Sequence, residues 1–357
     1  EDEGKVMALA TYAYPIPDEQ NPLIEFFSID GTRVRAKYGP LRMYDELKRA
    51  LWYFPSEQFA YMAQRALEIH IAELVRNAVK KTGFGDLALA GGVASNIKVN
   101  MLLRDLPEVG EVFVFPHMGD GGLAVGAALQ AAADADAKPN GRLDDIFWGP
   151  DCPIGDTAVP AEVTTHAFSE TGEVVDFTAA RLAEGEIVLW YQGRMEYGPR
   201  ALGNRSILAR PDLPEMRDRL NLQLKKRVWY QPFCPSMLDS EAGWLLENAD
   251  GLPNRFMTSG YRVRPSVKNF LQGVLGVDGS CRPQFVAADA SPYASLLDAM
   301  RQRMGTGCVL NTSMNVHGEP LVWTLDQAFK LMVDSRFHYL ICPCEKKVFE
   351  LKGSGSG

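Results

Sequence analysis

From Gln58 to Lys80 apolar residues recur at helical spacing, Ala66, Ile69 and Leu74 among them, inside a longer helical region predicted from Met43 to Lys81. Gly83 to Asp86 breaks that pattern, and Leu87-Ala88-Leu89-Ala90 then reads as a short buried strand ending on Gly91-Gly92-Val93-Ala94-Ser95-Asn96. A helix is predicted from there through Leu103, followed by a strand over Glu111-Val112-Phe113-Val114-Phe115. Pro116-His117-Met118-Gly119-Asp120-Gly121-Gly122 next opens an alanine-rich helix from Leu123 to Ala133. Strand, glycine turn and helix thus occur twice, the signature of an α/β unit whose ligands sit at helix N-termini.

Asp134 to Asp156 is rich in Asp, Pro, Gly and Asn and reads as a linker, so the expected division is 1–150 and 151–352. Beyond it the second half opens with Ala161–His166, and the pattern predicts a strand at 187–191, helices at Val174–Ala183 and Pro292–Gly305, and a basic helix from Met216 to Lys226. A strand at Cys308–Leu310, a helix at Asp326–Ser335 and a strand at His338–Cys342 complete the list of expected elements. Gly353-Ser354-Gly355-Ser356-Gly357 reads as a flexible linker outside the fold.

At 357 residues the chain exceeds what one core usually serves, which supports two domains. A formal charge of −8 argues against nonspecific nucleic-acid binding. No apolar run reaches the roughly 18 residues of a membrane helix, and no signal peptide is visible, so a cytoplasmic protein is expected. Six cysteines, at 152, 234, 281, 308, 342 and 344, form no Cys-x-x-Cys pair and read mostly as buried, reduced residues.

The densest chemistry lies in Glu196-Tyr197-Gly198-Pro199-Arg200-Ala201-Leu202-Gly203-Asn204-Arg205-Ser206-Ile207, directly after the apolar run 187–191. Its glycines let backbone N–H groups approach an anion, and Arg200 and Arg205 add planar forks suited to phosphate or carboxylate. A surface loop with two solvated arginines fits the same letters. Lys225-Lys226-Arg227 closes a helix, where cations also complement the macrodipole. Arg282 and Asn311-Thr312-Ser313 fall at element ends in the same half, and together these groups suit a polyphosphate plus a second small anion. In the first half the amides of Gly91, Gly92 and Val93 point beyond a strand, and Asn96 could serve a ribose or phosphate. Asp120, flanked by Gly119, Gly121 and Gly122, is either a helix-capping residue or an accessible carboxylate for a metal or nucleotide. Neither a P-loop nor a Gly-x-Ser-x-Gly elbow is present.

Together these stretches resemble the O-carbamoyltransferase family, which includes the nodulation-factor, cephem, novobiocin and tobramycin carbamoyltransferases. The resemblance rests on Glu3 to Ala10, the Gly-Gly-Val turn with Asn96, Gly119 to Gly122, and above all Gly193 to Leu208, supported by Val277 to Arg282 and Leu310 to Pro320. It implies a second subdomain of an actin/sugar-kinase-like fold in the first part, followed by an α+β YrdC-like domain on a twisted mixed sheet. The implied activity is formation of carbamoyl-adenylate from carbamoyl phosphate and ATP, then transfer to a hydroxyl of a small-molecule acceptor such as a natural product or sugar. Under that resemblance Arg200, Arg205, Lys225 and Arg227 hold phosphates bridged by Mg2+, and Arg282, Asn311 and Ser313 orient the carbamoyl group. Gly91, Gly92, Val93, Asn96, Gly121 and Gly122 hold the adenylate, and Asp120 is a metal ligand.

Four departures from the family pattern stand out. The His-x-x-x-His pair that binds iron with the residue matching Asp120 is absent, the histidines being 70, 117, 166, 317 and 338. The expectation is therefore a C-terminal piece or one chain of a split enzyme, with Fe2+ bound only when the missing pair is supplied. Gly276 stands where the family often has His, and Gln231 where Arg often precedes Pro-Phe. Arg210 replaces an Asp after Ile-Leu-Ala. These changes leave room for an alternative, a nucleotide-binding regulatory half without turnover.

Overall fold

The computed structural model describes residues 3–137, 143–151, 155, 157–249, 251 and 253–353, so parts of the expected linker and of the glycine-serine tail, with Cys152, lie outside the described residues. Two compact units emerge. One comprises Glu1–Asp120 with Thr258–Gly260 and Gly276–Ser280, and the other Gly121–Met257, Tyr261–Leu275 and Cys281–Gly357. Among the described residues no helix is long and apolar enough to cross a membrane.

In the first unit α1 is Glu3–Leu9, and β1 (Phe27–Asp30) and β2 (Arg33–Ala36) form an antiparallel hairpin. The single helical region expected over 43–81 is two helices, α2 (Pro40–Tyr53) and α3 (Ser56–Thr82). Pro55 separates them, because proline disfavours helix in the residue before it and itself tolerates only a helix start. Gly83 in the left-handed region closes α3. A parallel pair, β3 (Leu87–Leu89) and β4 (Val112–Val114), flanks α4 (Ile97–Arg104). Their core joins Ala72 and Val75 of α3 to Val99 and Leu103 of α4.

The second unit opens with α5 (Leu123–Asp134), then β5 (Val163–Ala167), α6 (Thr171–Ala183), β6 (Val188–Tyr191), β7 (Arg205–Ala209), α7 (Pro214–Arg219), β8 (Cys234–Leu238) and α8 (Asp239–Leu245). It continues through β9 (Tyr261–Arg262), β10 (Ser280–Cys281), β11 (Gln284–Val286), α9 (Pro292–Met304), β12 (Cys308–Ser313), α10 (Leu325–Asp334), β13 (Tyr339–Cys342) and β14 (Lys347–Leu351). Eight strands make one mixed sheet in the order β11-β8-β12-β7-β6-β13-β14-β5, parallel at β11/β8 and β13/β6 and antiparallel elsewhere. The chain is thus mixed α/β with a large mixed sheet.

Side-chain alternation explains why 187–191 reads as an unbroken apolar run. Val188 and Trp190 face a core with α6 and α9, while Leu189 and Tyr191 face a second core with α10. A strand covered on both faces has no polar side to show. The helix predicted from Val174 begins earlier, at Thr171, because Glu170 and Glu173 form a reciprocal capping box. The basic helix expected over 216–226 is α7 followed by a π-helical turn, Leu220–Lys225. The described part of the expected linker is packed, with Ile146 buried beside Leu202, Cys234 and Met257. Cys234, Cys308 and Cys342 are free and buried, as the sequence suggests, Cys281 is buried, and Cys344 is exposed.

Candidate functional site

The loop between β6 and β7 is built around its own anion. Glu196 is buried, and its Oε1 accepts from the backbone N–H groups of Leu202, Asn204 and Arg205 at 2.9, 2.8 and 3.1 Å. The amides that the sequence offers to a bound anion are therefore turned, in part, onto an internal carboxylate. Gly203, at φ +106°, lies so close to Tyr293 that a Cβ would meet the ring at 2.5 Å. From below, Asn311 Nδ2 donates to Ala201 O at 3.1 Å and Gln284 Nε2 to Leu202 O at 2.8 Å. Gln192 and Asn204 close the loop's base, Gln192 Nε2 donating to Asn204 Oδ1 at 2.9 Å.

Held this way, the loop leaves the half-buried Arg200 side chain without a carboxylate partner among the described residues, and Arg200 Nη1 makes a marginal 3.5 Å bond to Pro199 O. Arg282 donates from Nε and Nη2 to the Cys234 thiol sulfur at 3.1 and 2.9 Å. Arg227 is carried back toward the same place because Lys226 adopts a left-handed conformation, φ 49°, that ends the π turn. Its Nε donates to Asn221 Oδ1 at 2.6 Å, its guanidinium lies 4.3 Å above the Phe233 ring, and its buried Nη2 has no hydrogen-bond partner. Arg200 and Arg227 both feel the charge of Arg282. The charge of Arg282, with burial, pushes Arg200 down to about 9 against the opposing pull of Cys234. Burial first, together with Arg282 and against Cys234, brings Arg227 down to about 10. Arg282 on the Cys234 thiol, with Arg200 and Arg227 close enough to feel its charge, makes a site that gains from any anion able to enter, above all one with several oxygens for planar forks.

Lys225 sits beside this cluster but is fully engaged. Its buried ammonium donates to Ser313 O and Ser313 Oγ, and to Asn315 O and Oδ1 at 2.8 and 2.7 Å. Burial, then the Arg227 charge, moves its pKa well below the ordinary lysine value. Ser313 Oγ in turn donates to Asn315 Oδ1 at 2.7 Å. Asn311 is buried in the network with Ser236 and Gln284, its Oδ1 without a partner. Arg205 differs most from expectation. It is fully buried, its Nη1 donates to Gln192 O and Asn204 O at 2.6 and 2.9 Å, and its guanidinium stacks 3.7 Å from the Tyr191 ring. No described contact joins it to Arg200, Arg227 or Arg282, so the structure does not present it as a fork open to phosphate.

In the first unit Gly91 has φ +97° and ψ 161°, a combination that favours glycine, and its N–H donates to Met118 O at 2.7 Å. Gly92, Val93 and Ser95 lie in a 3-10 turn, with space open at Gly92. Asn96 is an N-cap: its Oδ1 accepts from Lys98 N and Val99 N, and its Nδ2 donates to Gln64 Oε1 at 2.8 Å. Those bonds occupy the groups expected to reach a ribose. Asp120, exposed, begins a 3-10 turn with Gly121 and Gly122, and Gly122 rather than Asp120 is the N-cap of α5. Gly121 O accepts from the Tyr197 hydroxyl. Among the described residues no three His, Cys, Asp or Glu cluster to hold a metal. A resident iron therefore does not fit the residues at Asp120, since transition-metal sites need three or more protein ligands.

Sequence reading misses Glu196, Cys234 and Asn315. Glu196 enters it only as the first letter of the loop, yet an acid opening a glycine-rich turn of backbone donors is the available signal. Cys234 reads as a core thiol, and nothing local marks it. The three substituted positions among these departures have definite surroundings. Arg210 is engaged by Asp212 at 2.8 and 2.7 Å and by Ala183 O at 2.8 Å. A Cβ at Gly276 would come 3.0 Å from Ser280 O. Gln231 keeps a buried Oε1 without a partner.

Comparison with known proteins places these features. The family model for the carbamoyltransferase N-terminus matches residues 2–129, and that for the carbamoyltransferase C-terminus matches 179–345. Nodulation protein NolO of Bradyrhizobium diazoefficiens is 36% identical over 92% of this chain and 62% of its own. Nodulation protein NolNO of Sinorhizobium fredii is 38% identical over 90% of this chain and 49% of its own. The 3'-hydroxymethylcephem-O-carbamoyltransferase of Amycolatopsis lactamdurans is 33% identical over 74% of this chain and 48% of its own. The chain thus spans about half to three fifths of the length of these relatives. A solved full-length HypF in its phosphate- and nucleotide-bound form aligns at a TM-score of 0.32 and 18% identity, over 48% of this chain and 21% of that one, too little to assign a fold. With both family models matched in chain order and the arginine loop inside the second, the chain belongs to the carbamoyltransferase family of transferases.

Proposed function

We propose that this chain forms carbamoyl-adenylate from carbamoyl phosphate and ATP, as part of an enzyme that passes the carbamoyl group to a hydroxyl of a small-molecule acceptor. One observation carries the reading: Arg282 is bonded to Cys234, its charge lowers both Arg200 and Arg227, and no carboxylate is among the charged neighbours that shift those two. Water cleaves the bond between the carbamoyl carbon and the phosphate oxygen of carbamoyl phosphate, giving carbamate, phosphate and a proton. A carbamate oxygen then bonds to the α-phosphorus of ATP while the bond to pyrophosphate breaks, and pyrophosphate leaves with the electron pair. Arg200 and Arg227 hold nucleotide phosphates and stabilise the charge that builds on the leaving group. Arg282, anchored on Cys234, orients the carbamoyl group. Lys225, Asn311, Ser313 and Arg205 act as positioning residues, since their polar atoms are largely committed within the fold.

Mg2+ enters with ATP, because the cluster itself offers cations and no carboxylate to hold it. Iron is given no step, for want of ligands around Asp120. In this reading residues 151–352 are the YrdC-like adenylating part and residues 1–150 belong to an actin-like transferring part. The acceptor class follows the cephem relative, whose name specifies a hydroxymethyl group. Free, buried cysteines suit a cytoplasmic enzyme.

The test is exchange of labelled pyrophosphate into ATP by the purified chain with Mg2+ and carbamoyl phosphate present. Exchange that depends on carbamoyl phosphate is the expected result. The commitment of Asn96 to Gln64 and to its own helix favours a second reading, a nucleotide-binding regulatory half. ATP binding without any exchange would select that reading and sink the first.

A further inference from the structure

Helix α2 carries two apolar faces, and its own unit covers only one. Met43, Leu47 and Ala50, with Phe54 just beyond the helix, pack on the core of Leu23, Phe26, Met62 and Ala66. At about 100° per residue, a second stripe follows Leu41, Tyr44, Lys48, Leu51 and Trp52. Its four apolar members are 86%, 61%, 47% and 86% exposed. Lone exposed apolar residues are ordinary on protein surfaces, but an aligned row of four on one helix marks an interaction surface.

The charges on the helix say what fits there. Glu46 is satisfied within the helix by Arg49 at 3.0 Å and Arg42 at 3.8 Å. Asp45 and Lys48, on the stripe, have no ion-pair partner among the described residues; Lys48 lies 5.3 Å from the centre of the Tyr44 ring. Read outward from the point between Glu46 and Leu47, Asp45 mirrors Lys48 and Leu41 mirrors Trp52, while Tyr44 and Leu51 mirror Arg49 and Arg42. A twofold axis at that point sets two such helices antiparallel. Each Asp45 then meets the Lys48 of the second copy, and each Leu41 the Trp52. Every contact on the stripe is made twice, as a twofold interface requires.

We propose that the stripe Leu41, Tyr44, Asp45, Lys48, Leu51 and Trp52 is a self-association surface through which two copies of this chain pair, α2 antiparallel to α2. The inference stands apart from the adenylation reading and uses none of its residues. A single helix pair lies at the small end of specific interfaces, below about 1,200 Å2, so association in the micromolar range is expected.

Sedimentation equilibrium of the chain from low to high micromolar concentration is the first measurement, and a reversible monomer–dimer equilibrium is the expected result. Trp52→Glu should abolish the dimer. Asp45→Lys alone and Lys48→Asp alone should each weaken it about tenfold or more, because like charges then face across the axis. The double variant D45K/K48D restores the pairs and should restore the dimer. Mixing the two single variants should give a heterodimer stronger than either homodimer. All these positions are exposed, and unchanged melting temperatures would show that the fold is intact. A chain that stays monomeric throughout overturns the proposal and leaves the stripe to a different partner. So does a dimer that tolerates Trp52→Glu, or one whose stability ignores the charge exchange.

Discussion

Glu196→Gln tests whether the β6–β7 loop is held by an internal anion or is a cradle kept for a substrate phosphate. The carboxylate oxygen accepts three backbone N–H groups at 2.8 to 3.1 Å in a buried setting. The substituted amide keeps an acceptor oxygen of similar shape but loses the charge that strengthens each bond. Bonds to charged groups contribute about 1.5–3 kcal/mol against about 0.5–1.5 for neutral ones. The difference, about 1 kcal/mol per bond, is shared among three bonds that cannot all be ideal, so a net loss of about 2 kcal/mol is expected. For a domain of this size that lowers the melting temperature by about 4–8 °C. Glu196→Ala, which strands three buried donors, should cost more, about 3–9 kcal/mol at about 1–3 per unpaired group. The assays are urea melts read by fluorescence, together with pyrophosphate exchange at temperatures where each variant is folded. Exchange should fall, because Arg200 is aimed by the same loop. The opposite outcome refutes the reasoning: if Glu196→Gln keeps its stability and binds ATP or pyrophosphate more tightly, the amides serve the substrate and Glu196 merely competes for them.

Arg200→Lys keeps the charge but loses the fork, and should lower exchange by at least about tenfold, the loss of one charge-assisted bond. Its melting temperature should stay near that of Arg181→Lys, a control on α6 that should leave exchange unchanged; equal exchange in the two variants would make Arg200 a bystander. Gly203→Ala puts a Cβ 2.5 Å from the Tyr293 ring at φ +106°, so a loss of about 2–4 kcal/mol is expected, and a melt within experimental error of the parent would refute the close approach. Burial works against Asp278, but its bonds to Lys98 and Ser280 hold it below its ordinary 3.8. A depressed carboxylate gives stability that is present above the unfolded pKa and lost as pH falls through the folded one. Asp278→Asn should therefore melt earlier than the parent above pH ~4, and the gap should close in stronger acid; a gap that is constant with pH would mean that the ion pair contributes nothing.

Much of this protein is legible in the letters because the informative signals are local. Helical spacing announces α3, α6 and α9, and Gly83 and Gly305 end two of them in the left-handed conformation that their lack of a side chain allows. The arginine loop, the Asn-Thr-Ser strand end and the Lys-Lys-Arg turn are likewise runs of neighbouring residues, so their resemblance to carbamoyltransferases survives without any knowledge of the fold. What the letters leave undecided is which polar groups are free. Arg200 and Arg205 look equivalent in a list, five residues apart, but Arg205 begins β7 opposite Tyr191 and is buried by that register, whereas Arg200 sits at the unpaired crest of the loop. Asn96 and Asn311 have the same donors and acceptors on paper, and the structure spends one on a helix cap and the other on a loop 110 residues away. The strands β7, β8 and β14 are not predicted for the same reason: their periodicity is masked by burial on both faces, and only pairing with partners distant in sequence stabilises them. Sequence determined which chemical groups this protein owns. Tertiary structure decided which are satisfied by the fold and which still need a ligand, because a hydrogen bond or a repulsion between charges depends on distances that the order of residues does not contain.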